Sequence, residues 1–333
     1  MSDSIDRILE IAADAGRAAS QICRAVLAEA PASPDAMAKL GKEPVTVADY
    51  GSQAVILRLV QAAFPGHGVI SEEGSAHLRE SAGDAGAEQI VRLVGQVVGE
   101  AVDFDQVCAW IDHEGPAEAE YTWAIDPIDG TKGFLRREQY AVAIGLLRHG
   151  KPYAGVMACP NLPVDLALPD GPCGVLFVAA EGRGCTRVAL DGGATEPAKV
   201  NAEATLAAAR VLGSVESAHG DPKMVVAAME RLGIGGGFVR YDSQVKYGVV
   251  AQGAAEIYVR PRSKPEYREN IWDHAAGVVV CEQAGGRVTD LDGKELDFSR
   301  GKKLTENRGV LATSGGALHD AVVAGIAAIE ARA

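Results

Sequence analysis

The segment Trp123 to Arg136, WAIDPIDGTKGFLR, carries the residues of this chain best suited to chemistry. The apolar run TWAID reads as a strand that delivers Asp126 at its end. Pro127 fixes the next φ, Asp129 follows three residues after Asp126, and Gly130 permits a tight turn. Two carboxylates held in this way suit a hard cation such as Mg²⁺, which takes oxygen ligands. The carbonyl of Ile128, between them, is a further candidate ligand. The same residues also fit an Asp-rich turn that caps a helix beginning at Thr131.

Three other acids join this one. Glu72, in SEEGS, follows the short apolar run GVI, a second strand end. Asp273 lies in NIWDHAAG; with Asn270 as N-cap it falls in the first turn of a helix, where a carboxylate is also a plain capping group. The flanking Trp272 and His274 weigh toward a site. Asp49, in EPVTVADYGSQ, stands at the start of a helix and reads equally as a helix-start acid. Taken together, Glu72, Asp126, Asp129 and Asp273 gather about four negative charges, and close carboxylates raise one another's pKa. Roughly two or three Mg²⁺ ions would neutralise them, attract a phosphate and activate a water for in-line attack.

The elements that must position these acids fall into two halves. Ile5, Ile8, Leu9, Ala12, Ala19, Ile22 and Val26 recur at helical spacing, which predicts a helix over Ile5 to Leu27. A Pro- and Ala-rich loop follows, then a helix from about Ala48 to Phe64, stopped by Pro65-Gly66. Residues 76–120, rich in Gly, Ala, Glu and Asp, read as a surface insertion or lid containing one helix, IVRLVGQVVG. TWAID, YAVAIGLL, YAGVMAC, VDLAL and VLFVAA are strand-like and closely spaced, as in an antiparallel sheet joined by hairpins. Beyond about residue 200 strands (ARVLGS, GFVRY, EIYVR) alternate with helices, the last from Ile271 to Gln283. The expected division is an α+β half, 1–160, and an α/β half, 161–333, with a site between them.

Composition narrows the partners. The 333 residues are 47% apolar and 23% charged, with a net charge of −13, which argues against a nucleic-acid groove. A small anionic substrate is compatible with that charge if cations offset it locally. No apolar stretch is long enough for a membrane span, and MSDSIDRILE lacks the pattern of a signal peptide. Six scattered cysteines without a CxxC pair point to a reducing, cytoplasmic setting. GxxxxGK[ST], HExxH and GxSxG are all absent.

SEEGS, WAIDPIDGTKGF and IWDHAAG, in that order, resemble the signature of the lithium-sensitive, Mg²⁺-dependent phosphatase superfamily that includes inositol monophosphatase. The resemblance covers about residues 5–330. It implies a layered αβαβα sandwich of the inositol monophosphatase and sugar phosphatase type, and inhibition by Li⁺. Within the superfamily the chain is similar to the 3′(2′),5′-bisphosphate nucleotidases. Lys132, Phe134 and Arg136 extend the DGT core as they do there. YDSQVKYGVVAQGAAEIYVR resembles their nucleotide-holding segment, and the stretch from Glu72 to Asp126 is long, as theirs is.

Carried over, the resemblance makes Glu72, Asp126, Asp129, Asp273 and the Ile128 carbonyl metal ligands. It makes Asp49 and Thr131 the pair that orients and deprotonates the attacking water. The amides from Gly130 to Lys132 would bind phosphate. His219, Ser243, Lys246 and Arg260 would line the nucleotide site. Ser243 and Lys246 are three apart on one helix face, with Ser243 as a possible N-cap, whereas Arg260 ends a strand; a cap, a solvated lysine and a surface arginine are the plainer alternatives. The implied activity is removal of the 3′-phosphate from adenosine 3′,5′-bisphosphate, giving AMP and phosphate. The alternatives are an inositol monophosphatase or broader sugar-phosphate phosphatase and, in a different class, a non-catalytic phosphate-binding protein.

Overall fold

A computed structural model of the chain describes residues 4–31, 43–214, 222–262, 264 and 266–331. Helix α1 (Ile5–Glu29) starts where the Ser4 side chain accepts from the Arg7 amide, and it buries Ile8, Ala15, Ala19, Ile22 and Val26 along one stripe. Burying a side chain the size of Ile8 contributes roughly 1.5–3 kcal/mol. Helix α2 (Glu43–Ala63) packs beside it. It begins five residues before the expected Ala48, because Pro44 is tolerated in a first turn, where its missing N–H has no partner to lose.

Strand β1 (Gly68–Ser71) leads into the segment expected to be an insertion. That segment is mostly helical: α3 (Ser75–Ser81), α4 (Asp84–Val98) and α5 (Phe104–Ile111). Ile90, Leu93, Val94, Val107, Cys108 and Ile111 are buried and join the same core as α1 and α2. The segment therefore extends the helical layer.

The first sheet has seven strands in sequential order: β1, β2 (Tyr121–Asp129), β3 (Ala141–Arg148), β4 (Lys151–Pro163), β5 (Cys173–Ala180), β6 (Gly184–Ala189) and β7 (Glu196–Ala198). β1 pairs parallel with β2, and every later pair is antiparallel. VDLAL is not one of the strands. The Asp165 carboxylate accepts from the Ala167 amide at 2.9 Å and turns the chain, leaving Leu168 58% exposed. The sheet continues well past residues 160–170, so the change of sheet comes between Ala198 and Val211.

The second sheet is built from β8 (Val211–Gly213), β9 (Phe238–Arg240), β10 (Ile257–Arg260), β11 (Arg287–Thr289) and β12 (Val310–Thr313), in the order β11-β12-β10-β8-β9. Its helices are α7 (Pro222–Leu232), α8 (Val245–Ala251), α9 (Ala275–Gln283) and α10 (Gly316–Glu330), a short α6 (Thr131–Leu135) belonging to the first half. Three cores separate five layers. α1 and α2 cover one face of the first sheet. α8 and α9 lie between the two sheets, and α7 and α10 close the far face of the second. This is the expected αβαβα sandwich. Two glycines set the central spacing: a Cβ on Gly145 would lie 2.6 Å from the Ala275 Cβ, and one on Gly155 would lie 2.5 Å from the Ala276 carbonyl oxygen. The first turn of α9, and Asp273 just before it, are thereby drawn down onto β3 and β4. Among the described residues no helix is long and apolar enough to cross a membrane.

Candidate metal and phosphate site

β1 and β2 run parallel, so their C-terminal ends arrive side by side. The Glu72 amide continues the ladder by donating to the Ile125 carbonyl at 3.2 Å. The next residue is gripped by Gln53, whose amide group donates to the Glu73 carbonyl and accepts from its N–H. On β2 the pairing with β3 breaks between Asp126 and Asp129, and the Asp126 Oδ1 accepts from the Ile128 amide at 3.1 Å. Gly130 then turns with φ +90°, and a Cβ there would lie 2.8 Å from that of Ser243. The first half thus contributes Glu72, Asp126, Asp129 and Thr131 to one wall of a cavity of about 270 Å³, with the Ile128 backbone among them. The opposite wall comes from the second half and includes Ser243, Lys246, Arg260 and Asp273.

Acids and bases meet in this cavity: Asp242 and Asp273 line it beside Lys246 and Arg260, across from Glu72, Asp126 and Asp129. Burial, then repulsion from Asp273 and Glu73, pushes Glu72 up to about 7. Burial and its acidic neighbours, Glu72 first, push Asp126 well above the carboxylate range. Asp129 is pushed to about 6 by burial and Asp273, while Lys246, Arg260 and the Gln244 N–H, 2.5 Å from Oδ2, pull the other way. Such a group of carboxyl oxygens, each unwilling to ionise beside the others, fits divalent cations, whose charge reverses the local pKa logic. Burial lowers Lys246 to about 8. Its Nζ donates to the Tyr241 and Ser243 carbonyls at 3.2 and 2.7 Å and sits 5.1 Å over the Tyr258 ring.

Some expected residues are placed differently. Asp49 is buried beyond the cavity lining; its Oδ1 has no hydrogen-bond partner, and burial with repulsion from Glu73 and Glu72 raises its pKa strongly. It is not bonded to Thr131, whose hydroxyl donates to the Ile128 carbonyl at 3.4 Å. Asp273 is not in a first helical turn. Asn270 bridges Lys303 and is no N-cap; residues 271–274 form a turn, and α9 is capped at His274. α8 is capped at Gln244, one residue after the expected Ser243. Ser243 adopts φ +64°, and its hydroxyl still accepts from the Val245 amide at 3.2 Å. His219 lies outside the described residues.

Sequence reasoning missed two residues: Gln244, which ties the two walls together, and Glu269, which braces the second. Gln244, 2% exposed, donates its backbone N–H to Asp129. Its side chain donates to the Trp272 carbonyl at 2.9 Å and accepts from the Gly277 amide at 3.1 Å. Glu269 lies 2.8 Å from Arg260. Glu269, Asp273 and His274 bring ligand atoms within 4.8 Å of one another, yet Arg260 already supplies the positive charge there. No periodicity or spacing marks either residue; only their nearness to YDSQVKYG and IWDHAAG does.

Fold and site together define an acid-lined, phosphatase-type cleft between two sheets. The chain belongs to the inositol monophosphatase family, whose sequence profile matches residues 4–331. It is 38% identical over 317 residues to a 3′(2′),5′-bisphosphate nucleotidase of Emericella nidulans, covering 87% of this chain and 89% of that one. It is 33% identical over 347 residues to a 3′(2′),5′-bisphosphate nucleotidase of Schizosaccharomyces pombe, covering 99% and 97%. The solved inositol monophosphatase of Anabaena (Nostoc) has the same fold, with a TM-score of 0.64 at 24% identity over 97% of this chain and 96% of that one.

Proposed function

We propose that this chain is a Mg²⁺-dependent 3′(2′),5′-bisphosphate nucleotidase that converts adenosine 3′,5′-bisphosphate to AMP and phosphate. The observation that carries this reading is a cavity in which Glu72, Asp126, Asp129 and Asp273 converge beside Lys246 and Arg260. The relatives named as nucleotidases, alike over most of their length, support it. We assign Glu72, Asp126, Asp129, Asp273 and the Ile128 carbonyl to hold roughly two or three Mg²⁺ ions. When bound, Mg²⁺ neutralises phosphate charge and lowers the pKa of a water.

Asp49, whose Oδ1 has no hydrogen-bond partner, is assigned with Thr131 to orient and deprotonate the attacking water. Thr131 holds only a long 3.4 Å bond to Ile128, so its hydroxyl turns readily toward a water. The backbone at Gly130 faces the phosphate to be removed. A pKa of about 8 leaves Lys246 largely charged at neutral pH, and with Arg260 it holds the 5′-phosphate. Ser243 and His219 are assigned to the rest of the nucleotide. All six cysteines are free thiols, five of them buried, in keeping with a reducing, cytoplasmic setting. The test is phosphate release with Mg²⁺, with and without Li⁺, from adenosine 3′,5′-bisphosphate, inositol 1-phosphate and fructose 1,6-bisphosphate. Preference for the bisphosphate nucleotide and inhibition by Li⁺ are expected. Preference for inositol 1-phosphate would replace this reading with a general sugar phosphatase.

A further inference from the structure

Two acids claim the same nitrogen of Arg260. Its Nη2 lies 2.8 Å from Glu269 Oε2 and 3.4 Å from Asp273 Oδ2. Under the proposed function these contacts conflict. Asp273 is wanted by a divalent cation, and Arg260 by a phosphate. A guanidinium resting fully on Asp273 would occupy the one and turn away the other.

Glu269 stands outside the acid set and is 3% exposed. It is braced from behind. The His274 Nε2 lies 3.5 Å from Glu269 Oε2, and the His274 Nδ1 lies 2.8 Å from the Tyr247 hydroxyl. A line of fully buried groups therefore runs from Tyr247 through His274 to Glu269 and ends on Arg260 at the cavity wall. Arginine has five N–H donors in a rigid fork. Anchoring one of them on Glu269 fixes the fork at the cavity wall, where a second anion can reach it.

Resting on the nucleotidase reading, we infer that Glu269 is a positioning residue that draws Arg260 toward itself and away from closer contact with Asp273, leaving Asp273 to the divalent cation and keeping Arg260 at the cavity wall for the 5′-phosphate. A cation arriving at Asp273 competes only with the longer of the two contacts. Removing the Glu269 charge sends Arg260 fully to Asp273.

The test uses the full chain and Mg²⁺ alone in titration calorimetry, followed by kinetics. Glu269→Gln should weaken Mg²⁺ binding about fivefold, and Arg260→Met should tighten it, because the competing cation is gone. In the Arg260→Met background, Glu269→Gln should no longer matter. At saturating Mg²⁺, Glu269→Gln should raise KM for adenosine 3′,5′-bisphosphate about tenfold and leave KM for adenosine 3′-phosphate within about twofold. Glu269→Asp, which keeps the charge, should recover most of both losses. Unchanged Mg²⁺ affinity in Glu269→Gln, or equal damage to both substrates, overturns the inference. If Glu269→Gln does not fold, Arg260→Met decides: tighter Mg²⁺ binding supports the inference, and unchanged or weaker binding overturns it. Calorimetry needs no substrate. A wild type that does not favour the bisphosphate would therefore sink the nucleotidase reading while leaving the Glu269 inference to stand or fall on metal affinity.

Discussion

The acidic wall and the basic wall of the cavity are built in different ways. The acidic wall comes from adjoining ends of two paired strands, where local turn chemistry, Pro127 and the φ +90° of Gly130, aims Asp126 and Asp129. The basic wall comes from three separate segments: Gln244 joins Asp129 to the Asp273 loop by long-range bonds, and Glu269 anchors Arg260 nine residues away. A wall made by local geometry tolerates change elsewhere in the chain, whereas one made by tertiary ties is adjustable and can set substrate preference. The acids at the ends of β1 and β2, with Asp273 from the other side, should therefore govern whether the enzyme turns over, and Lys246 and Arg260 what it accepts.

The comparison breaks most completely if metal is unnecessary. Excess chelator should abolish turnover and Mg²⁺ should restore it, in a phosphate-release assay; full activity after exhaustive chelation would refute the assignment of the acidic wall. Next in size is Asp126→Asn, expected to lower kcat by about 10³-fold, a few kcal/mol of transition-state stabilisation. Its metal-free Tm should not fall, because one member of a repelling cluster is gone. On the other wall, Lys246→Ala or Arg260→Ala should weaken use of adenosine 3′,5′-bisphosphate by about 10- to 100-fold, roughly 1.5–3 kcal/mol for a charge-assisted hydrogen bond, mainly through KM. Inositol 1-phosphate, lacking a second phosphate, should be little affected. Equal losses on both substrates would mean the walls do not divide the work.

The smallest effect is on stability. Glu72 at about 7 and Asp129 at about 6 sit above their ordinary 4.5 and 3.8, so the folded, metal-free chain holds these protons more tightly than the unfolded one. That contribution is fully present below the unfolded values and is lost as pH rises through 6 to 7. The rise in Tm on adding Mg²⁺ should accordingly be larger at pH 8 than at pH 5, by differential scanning calorimetry. An equal rise at both would remove the charge cluster from the account.

What the sequence reveals follows the same division. Asp126, Asp129 and Glu72 are legible because each ends a short apolar run and its turn residues are neighbours in the chain. The helical spacing of α1 and the alternation after residue 200 are legible for the same local reason. Asp273 reads from sequence as a first-turn residue because Asn270 resembles an N-cap; the Asn270 bridge to Lys303, 33 residues away, leaves no mark in the local sequence. VDLAL has strand composition, but Asp165 bonds its own backbone two residues on. Helix α5 was hidden in a Gly- and Ala-rich stretch although Asp103 caps it, accepting from the Gln106 amide at 2.8 Å. Gln244 acts through partners distant in sequence, and the Glu269 contacts to Arg260 and His274 follow no strand or helix period, so no spacing announces either.

The central claim is that the two walls together recognise a nucleotide carrying two phosphates. The measurement that tests it most directly is kcat/KM of the wild-type chain, at saturating Mg²⁺, for adenosine 3′,5′-bisphosphate and for inositol 1-phosphate. A clear preference for the bisphosphate, of about tenfold or more, is the predicted result, since Lys246 and Arg260 contribute only to that substrate. Equal values, or a preference for inositol 1-phosphate, would contradict it.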